Sequence, residues 1–325
     1  MTSAEPASAA LAEAAEPKQI EMHVHSFGMR FHFTRLAGFD VFRYIDMAAA
    51  EGFTGVNVSA NGPGYRDLGG TTPEHFERVR AHAEERRMRL ELDTSDTRAD
   101  NMRTMLGVAE ACGADTLRVY TKYSGTLREL IDWSVRDLRD AADIAAARGV
   151  LIVIENHEEF QGDALAEIVG RIDSPWVRAL YDYGNSQMVG EDPLVALHAM
   201  GPHVSRVHLK DHVIVADPRP RAPSTLAVQG VAVGDGLLPI IEQTLRLYDL
   251  GVRRFCFENV WGYTAPVRAA ALPATPPFAM NHGHQFLDAT ALPAQQSIAG
   301  EAAAFRRGWD WLRGELTAAG FVIAR

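Results

Sequence analysis

Short runs of aliphatic and β-branched residues alternate with longer amphipathic stretches eight times along this chain. That repeated alternation constrains the fold more than any other feature. Strands are expected at IEMHV (20–24), TGVNVS (54–59), LELD (90–93), TLRVY (116–120), VLIVIE (150–155), VRALYD (177–182), VSRVHLK (204–210) and RRFCFEN (253–259). Helical stretches follow them at FDVFRYIDMAAAEG (39–52), PEHFERVRAHAEERR (73–87), 98–112 ending at Gly113, 127–148 ending at Gly149, DALAEIVGRI, DPLVALHAM, LLPIIEQTLRLYDLG (237–251) and roughly 300–317. Continuous apolar runs, rather than alternating ones, belong to strands buried on both faces. Eight strand-then-helix units therefore predict a single α/β (β/α)8 TIM barrel over residues 19–325. A doubly wound open sheet would carry a glycine-rich phosphate loop after its first strand, and none is present.

Composition narrows the function classes. The chain of 325 residues has 47% hydrophobic and 23% charged residues, enough apolar material for one large core. Its formal net charge of −10 disfavours tracking of nucleic acid or adhesion to an anionic membrane, both of which need clustered Lys and Arg. Cys112 and Cys256 cannot build a disulfide framework, have no metal-clip spacing, and fit a reducing cytoplasm. Residues 1–18, rich in Ala, Ser, Pro and Glu, read as a mobile tail rather than a secretory signal. No run of eighteen apolar residues suggests a membrane span. Two Pro-rich segments, 211–235 and 260–299, exceed what a connector needs and read as lids or partner surfaces.

The chemistry concentrates at strand ends in the second half. Strand five ends on Glu155, strand six on Asp182, strand seven carries His208, and strand eight reaches Glu258. The carboxyl ends of the strands are where barrel enzymes build their sites. Any one of these residues could be a solvated strand end; four in register are a different matter. Buried unpaired carboxylates are costly unless they are paired or bind a cation. Three carboxylates and an imidazole suit a divalent ion, with Mn²⁺ the first choice and Mg²⁺, Co²⁺ or Zn²⁺ behind it.

With these residues in place the chain resembles the xylose-isomerase-like barrels, which include sugar-phosphate isomerases and epimerases, ketose 3-epimerases and endonuclease IV. The stretches that carry the resemblance are IENHEEFQGDALAEIV, YDYGNS, VHLKD, VGDGLLPII and FEN, within residues 150–259. It implies that Glu155, Asp182, His208 and Glu258 are metal ligands and that Glu155 and Glu258 also transfer the proton. Two departures stand out. Asn185 occupies the place of a histidine in the epimerase and nuclease patterns, and DHVIVADPRPR lacks the further Asp-x-His that the nuclease needs. DNA repair is therefore not expected.

A metal chelating a carbonyl and its neighbouring hydroxyl acidifies the adjacent C–H, and a nearby base moves the proton through a metal-bound enediolate. The expected activity is a sugar or keto-sugar isomerase or epimerase. The alternative from the same superfamily is a lyase that eliminates the aglycone of 3-oxo-glycosides, including C-glycosides, and works with a small β-rich subunit. A barrel that binds a metal or sugar without catalysis is the second alternative. His157, two residues after Glu155, shares that inward face if the strand persists; it reads either as an extra acid or base or as a hydrogen-bonded supporting histidine. His25, Glu158, Asn185, Lys210 and Trp261 are expected to contact substrate, with Tyr263 walling the pocket beside Trp261. Each of them has a plainer alternative as a rim or interior residue. NHGH (281–284) could be a lid or a subunit contact. The partner is a small carbohydrate or glycoside, and a homo-oligomer is expected where no β-rich subunit is.

Overall fold

The computed structural model describes residues 16–219, 222, 224–268 and 284–324. Eight parallel strands close into a barrel: β1 (Lys18–His25), β2 (Gly55–Ser59), β3 (Arg89–Asp93), β4 (Thr116–Val119), β5 (Leu151–Glu155), β6 (Val177–Asp182), β7 (Val204–Leu209) and β10 (Arg254–Phe257), with β10 pairing back onto β1. This is the (β/α)8 architecture that the alternation predicts. A short terminal strand, β12 (Phe321–Ile323), pairs parallel beside the amino end of β1.

The helices form where the sequence signals them. The helix α5 (Leu127–Arg148) opens on a reciprocal capping box between Thr126 and Glu129. It stops at Gly149, which takes a left-handed φ of 65° that a side-chain-bearing residue adopts only at a cost. The helix α10 (Ala294–Ala318) lies against the closing seam, where Trp309 stacks on Phe53 with ring centroids 4.1 Å apart. Near the barrel's amino end Gly55 makes room for His23, since a Cβ there would meet the imidazole at 2.5 Å.

One segment departs from expectation. Residues 211–235 do not form a plain loop. β8 (His212–Ala216) and β9 (Leu226–Gly230) pair antiparallel, and β11 (Thr264–Pro266) adds to β9, making a separate three-stranded sheet. The runs HVIVA and LAVQG are strand-like, and the proline content of the segment comes from the residues between them in the sequence. Most of the expected 281–284 contact, residues 281–283, and residues 1–15 of the expected tail lie outside the described residues. Among the described residues no helix is long and apolar enough to cross a membrane.

Candidate active site

Strand period places the site. Side chains two residues apart on a strand share a face, so each inward-facing position near the amino end is followed by another at the carboxyl end. At the mouth these are His25 on β1, Ser59 on β2, Asp93 on β3, Arg118 on β4, Glu155 on β5, Asp182 on β6 and His208 on β7. Lys210 and Glu258 follow immediately after β7 and β10. All but His208 line one cavity of about 140 Å³, with Phe27, Tyr120 and Tyr263 among its walls. His208 lies just beneath, its ring 4.8 Å from that of His25.

Two groups of potential ligands share His208. Glu155, Asp182 and His208 each offer an atom within 4.8 Å of the others, and so do His25, His208 and Glu258. Asp182 Oδ1 accepts from the amides of Gly184 and Asn185, each at 2.9 Å, and from Lys210 Nζ at 3.2 Å. Its Oδ2 is buried without a partner, as are His25 Nε2 and Asp93 Oδ1. Native interiors rarely leave such atoms unsatisfied. The mixed oxygen and nitrogen donor set, together with these open atoms, fits a divalent cation.

The two glutamates sit in different surroundings. Glu155 Oε2 is bound by the Arg118 guanidinium, and Oε1 lies 3.0 Å from His208 Nδ1. Burial alone would lift its carboxyl, but Arg118 and then His208 outweigh burial and hold it well below its ordinary range. Glu258 Oε1 is 3.8 Å from His25 Nδ1. There burial prevails over Lys210 and His208, and the carboxyl is raised. Burial also lowers His25 well below its usual value. For His208 burial acts in the same sense, but the bond to Glu155 and that group's charge raise it overall.

The structure brings together most of the residues that the sequence singles out. Asn185 Oδ1 accepts from Lys210 Nζ at 2.5 Å, so Asn185 holds the lysine at the wall. β5 ends at Glu155, so His157 is not on a strand. It still faces the cavity, stacked on Tyr120 with centroids 4.0 Å apart and planes 7° apart. Glu158 accepts from the Tyr263 hydroxyl at 3.2 Å and is not among the cavity walls. Trp261 is a correction: it packs against Gly300 of α10 and edge-on to Phe31, 6.4 Å between centroids, outside the cavity. The chain turns at Gly262 (φ 72°), which sends Tyr263 rather than Trp261 to the wall.

Sequence reasoning misses Asp93, Arg118 and Arg66. Arg118 joins Asp93 Oδ2, at 3.2 Å, to Glu155, and its guanidinium lies 4.7 Å from the Tyr120 ring centre. The signal was available for two of them: LELD ends on an acid, and TLRVY sets an arginine inside an otherwise apolar strand.

Residues 45–289 match the model of a family described as xylose isomerase-like TIM barrel. The chain belongs to that family. The chain is also similar to the uncharacterized protein YihM of Escherichia coli K12, 24% identical over 250 residues, 75% of this chain and 74% of that protein. Among solved structures, D-psicose 3-epimerase from Clostridium cellulolyticum H10, determined with D-tagatose, aligns with a TM-score of 0.62 at 12% identity, covering 89% of this chain and 98% of its own. The IolI protein with a bound zinc atom aligns with a TM-score of 0.58 at 14% identity, covering 88% and 96%. At these identities the likeness to the solved structures is one of fold.

Proposed function

We propose that this xylose isomerase-like barrel is a divalent-metal-dependent isomerase or epimerase that moves a proton on a carbon next to the carbonyl of a sugar or keto-sugar. The observation that carries this reading is the pair of ligand groups sharing His208, with unpartnered Asp182 Oδ2 and His25 Nε2 beside them, at one cavity. Glu155, Asp182, His208 and Glu258 would hold the cation, with Mn²⁺ the first choice, and His25 is placed to join them. When bound, the ion supplies Lewis-acid stabilisation of the oxygen on which negative charge develops. Both Glu155 oxygens are engaged, by Arg118 and His208, so Glu258 is the carboxylate freer to take and return a proton. Lys210, held by Asp182 and Asn185, presents a cation to a substrate oxygen. The epimerase and zinc-containing barrels of the same fold support this reading at the level of the family.

The test is solvent-isotope exchange. Manganese-loaded protein incubated in D₂O with a panel of ketoses, among them D-tagatose, and 3-oxo-glucosides is expected to place deuterium beside the carbonyl of at least one of them. No incorporation into any member removes the reading. A second reading, elimination of an aglycone from a 3-oxo-glycoside after the same proton abstraction, is favoured by the aromatic walls Phe27, Tyr120 and Tyr263, which suit a planar leaving group. Release of aglycone in the same incubations selects it.

A further inference from the structure

The loop after β2 adopts a conformation that ordinary residues avoid, and it delivers an arginine to the cavity. Tyr65 (φ 49°) and Arg66 (φ 39°, ψ −112°) both carry positive φ, and Arg66 falls outside even the small left-handed region. Strain of this kind persists only where the surroundings over-determine it, and it gathers at binding sites. The surroundings here are explicit. The neighbouring Asp67 is buried and accepts from Ser26 Oγ at 2.7 Å, and that oxygen accepts from the Ser59 amide at 2.9 Å. Leu68 is fully buried, and its carbonyl lies 2.7 Å from His75 Nε2. The loop is clamped to the ends of β1 and β2, so the course of the chain through Arg66 is fixed.

Arg66 differs from the other two cations of the wall. Arg118 is engaged by Asp93 and Glu155, and Lys210 by Asp182 and Asn185. Arg66 Nε lies 3.7 Å from Asp67 Oδ1, beyond hydrogen-bond range, and its side chain is 42% exposed. The cavity wall holds four carboxylates (Asp93, Glu155, Asp182, Glu258) and three permanent cations (Arg66, Arg118, Lys210), a balance of −1. A divalent cation at the proposed site makes it +1, an excess that an anionic ligand would neutralise. Asn61, also on the wall, gives its Nδ2 to Asp93 at 2.8 Å, and its Oδ1 is buried without a partner, a ready acceptor for a hydroxyl.

We infer that Arg66 selects a sugar carrying an oxyanion, a phosphate ester or a carboxylate, away from the reacting carbonyl, with Asn61 Oδ1 taking a nearby hydroxyl. A guanidinium fork binds either anion through two parallel hydrogen bonds. The inference rests on the proposed sugar substrate and narrows its class. It is tested by calorimetric titration of the manganese-loaded protein with D-fructose 6-phosphate, D-fructuronate and D-fructose. The wild type is expected to prefer at least one anionic sugar over D-fructose by about 10- to 100-fold. Arg66→Gln should collapse that ratio towards one, and Arg66→Lys should retain part of it. The anion that binds better identifies the group. Equal binding of all three, no binding of any, or an unchanged ratio in Arg66→Gln overturns the inference. Because the readout is binding, anion preference without isotope exchange leaves this inference standing and removes the proton-transfer reading. Exchange without anion preference does the reverse.

Discussion

The barrel interior holds two layers of polar side chains, supplied by the same strands and differing in how their charges are matched. His23 and His25 of β1, Glu91 and Asp93 of β3, Thr116 and Arg118 of β4, and Arg206 and His208 of β7 are each two residues apart and share the inward face. In the lower layer the charges are matched. Glu91 Oε1 accepts from Arg254 at 2.8 Å and from Arg206 at 3.2 Å, and Arg254 also donates to Asp115 at 2.7 and 3.0 Å and to Glu21 at 2.8 Å. Burial would raise Glu91, yet His23, Arg254 and Arg206 hold it well below its ordinary value. Open atoms remain there too: neither ring nitrogen of His23 is hydrogen-bonded, and Asn57 Oδ1 on β2 has no partner. In the upper layer Asp182, His25 and Asp93 each keep an open buried atom. Leaving such a group unsatisfied costs about 1–3 kcal/mol. The charges of the lower layer are matched within the protein, whereas the upper layer keeps open carboxylate and imidazole atoms that, on the proposed function, a cation would complete.

That contrast breaks if mutations in the two layers have the same consequence. Glu258→Gln should slow isotope exchange by about 10²- to 10⁴-fold while the thermal midpoint stays within a few degrees of wild type. A large loss of stability with unchanged exchange would reverse the assignment. Glu91→Gln weakens the matching of Arg206 and Arg254, and full loss of a buried partner costs about 3–5 kcal/mol. Urea unfolding should show most of that loss, with cation binding retained.

The loop that carries Arg66 sharpens the contrast through pH. Asp67 is raised from 3.8 to about 6, chiefly by burial. A carboxyl with a raised folded pKa binds more protons folded than unfolded, so its contribution to stability falls as pH rises from about 4 to 6, by at most about 3 kcal/mol. Asp67→Asn should flatten that part of the stability profile, and an unchanged slope would show that Asp67 is not the group responsible. The smallest effect is expected at Trp261. Trp261→Phe should cost about 1 kcal/mol of stability and change exchange less than about twofold, because the ring packs on α10. A tenfold change in exchange would return Trp261 to the site.

Much of this was legible. Glu155, Asp182, His208 and Glu258 stand out because each closes or follows an apolar run, and the barrel rule turns those ends into one mouth. Asp93 and Arg118 carry the same signal in the first half of the chain, an acid closing LELD and an arginine within TLRVY. Arg66 was not legible, since its placement depends on backbone angles that PGYRDL does not announce. Trp261 was misplaced because nearness to Glu258 in sequence says nothing of the turn at Gly262. The sheet of β8, β9 and β11 was hidden because DPRPRAPS dominated the composition of a segment whose flanks are strands.

The central claim is that the upper layer is completed by one divalent cation. Native mass spectrometry of the intact protein after equilibration with Mn²⁺ and removal of excess tests it directly. One bound ion per chain in the wild type, lost in Asp182→Asn and His208→Ala variants that remain folded, is the predicted result. A wild-type mass with no ion, or an ion retained by both variants, contradicts it.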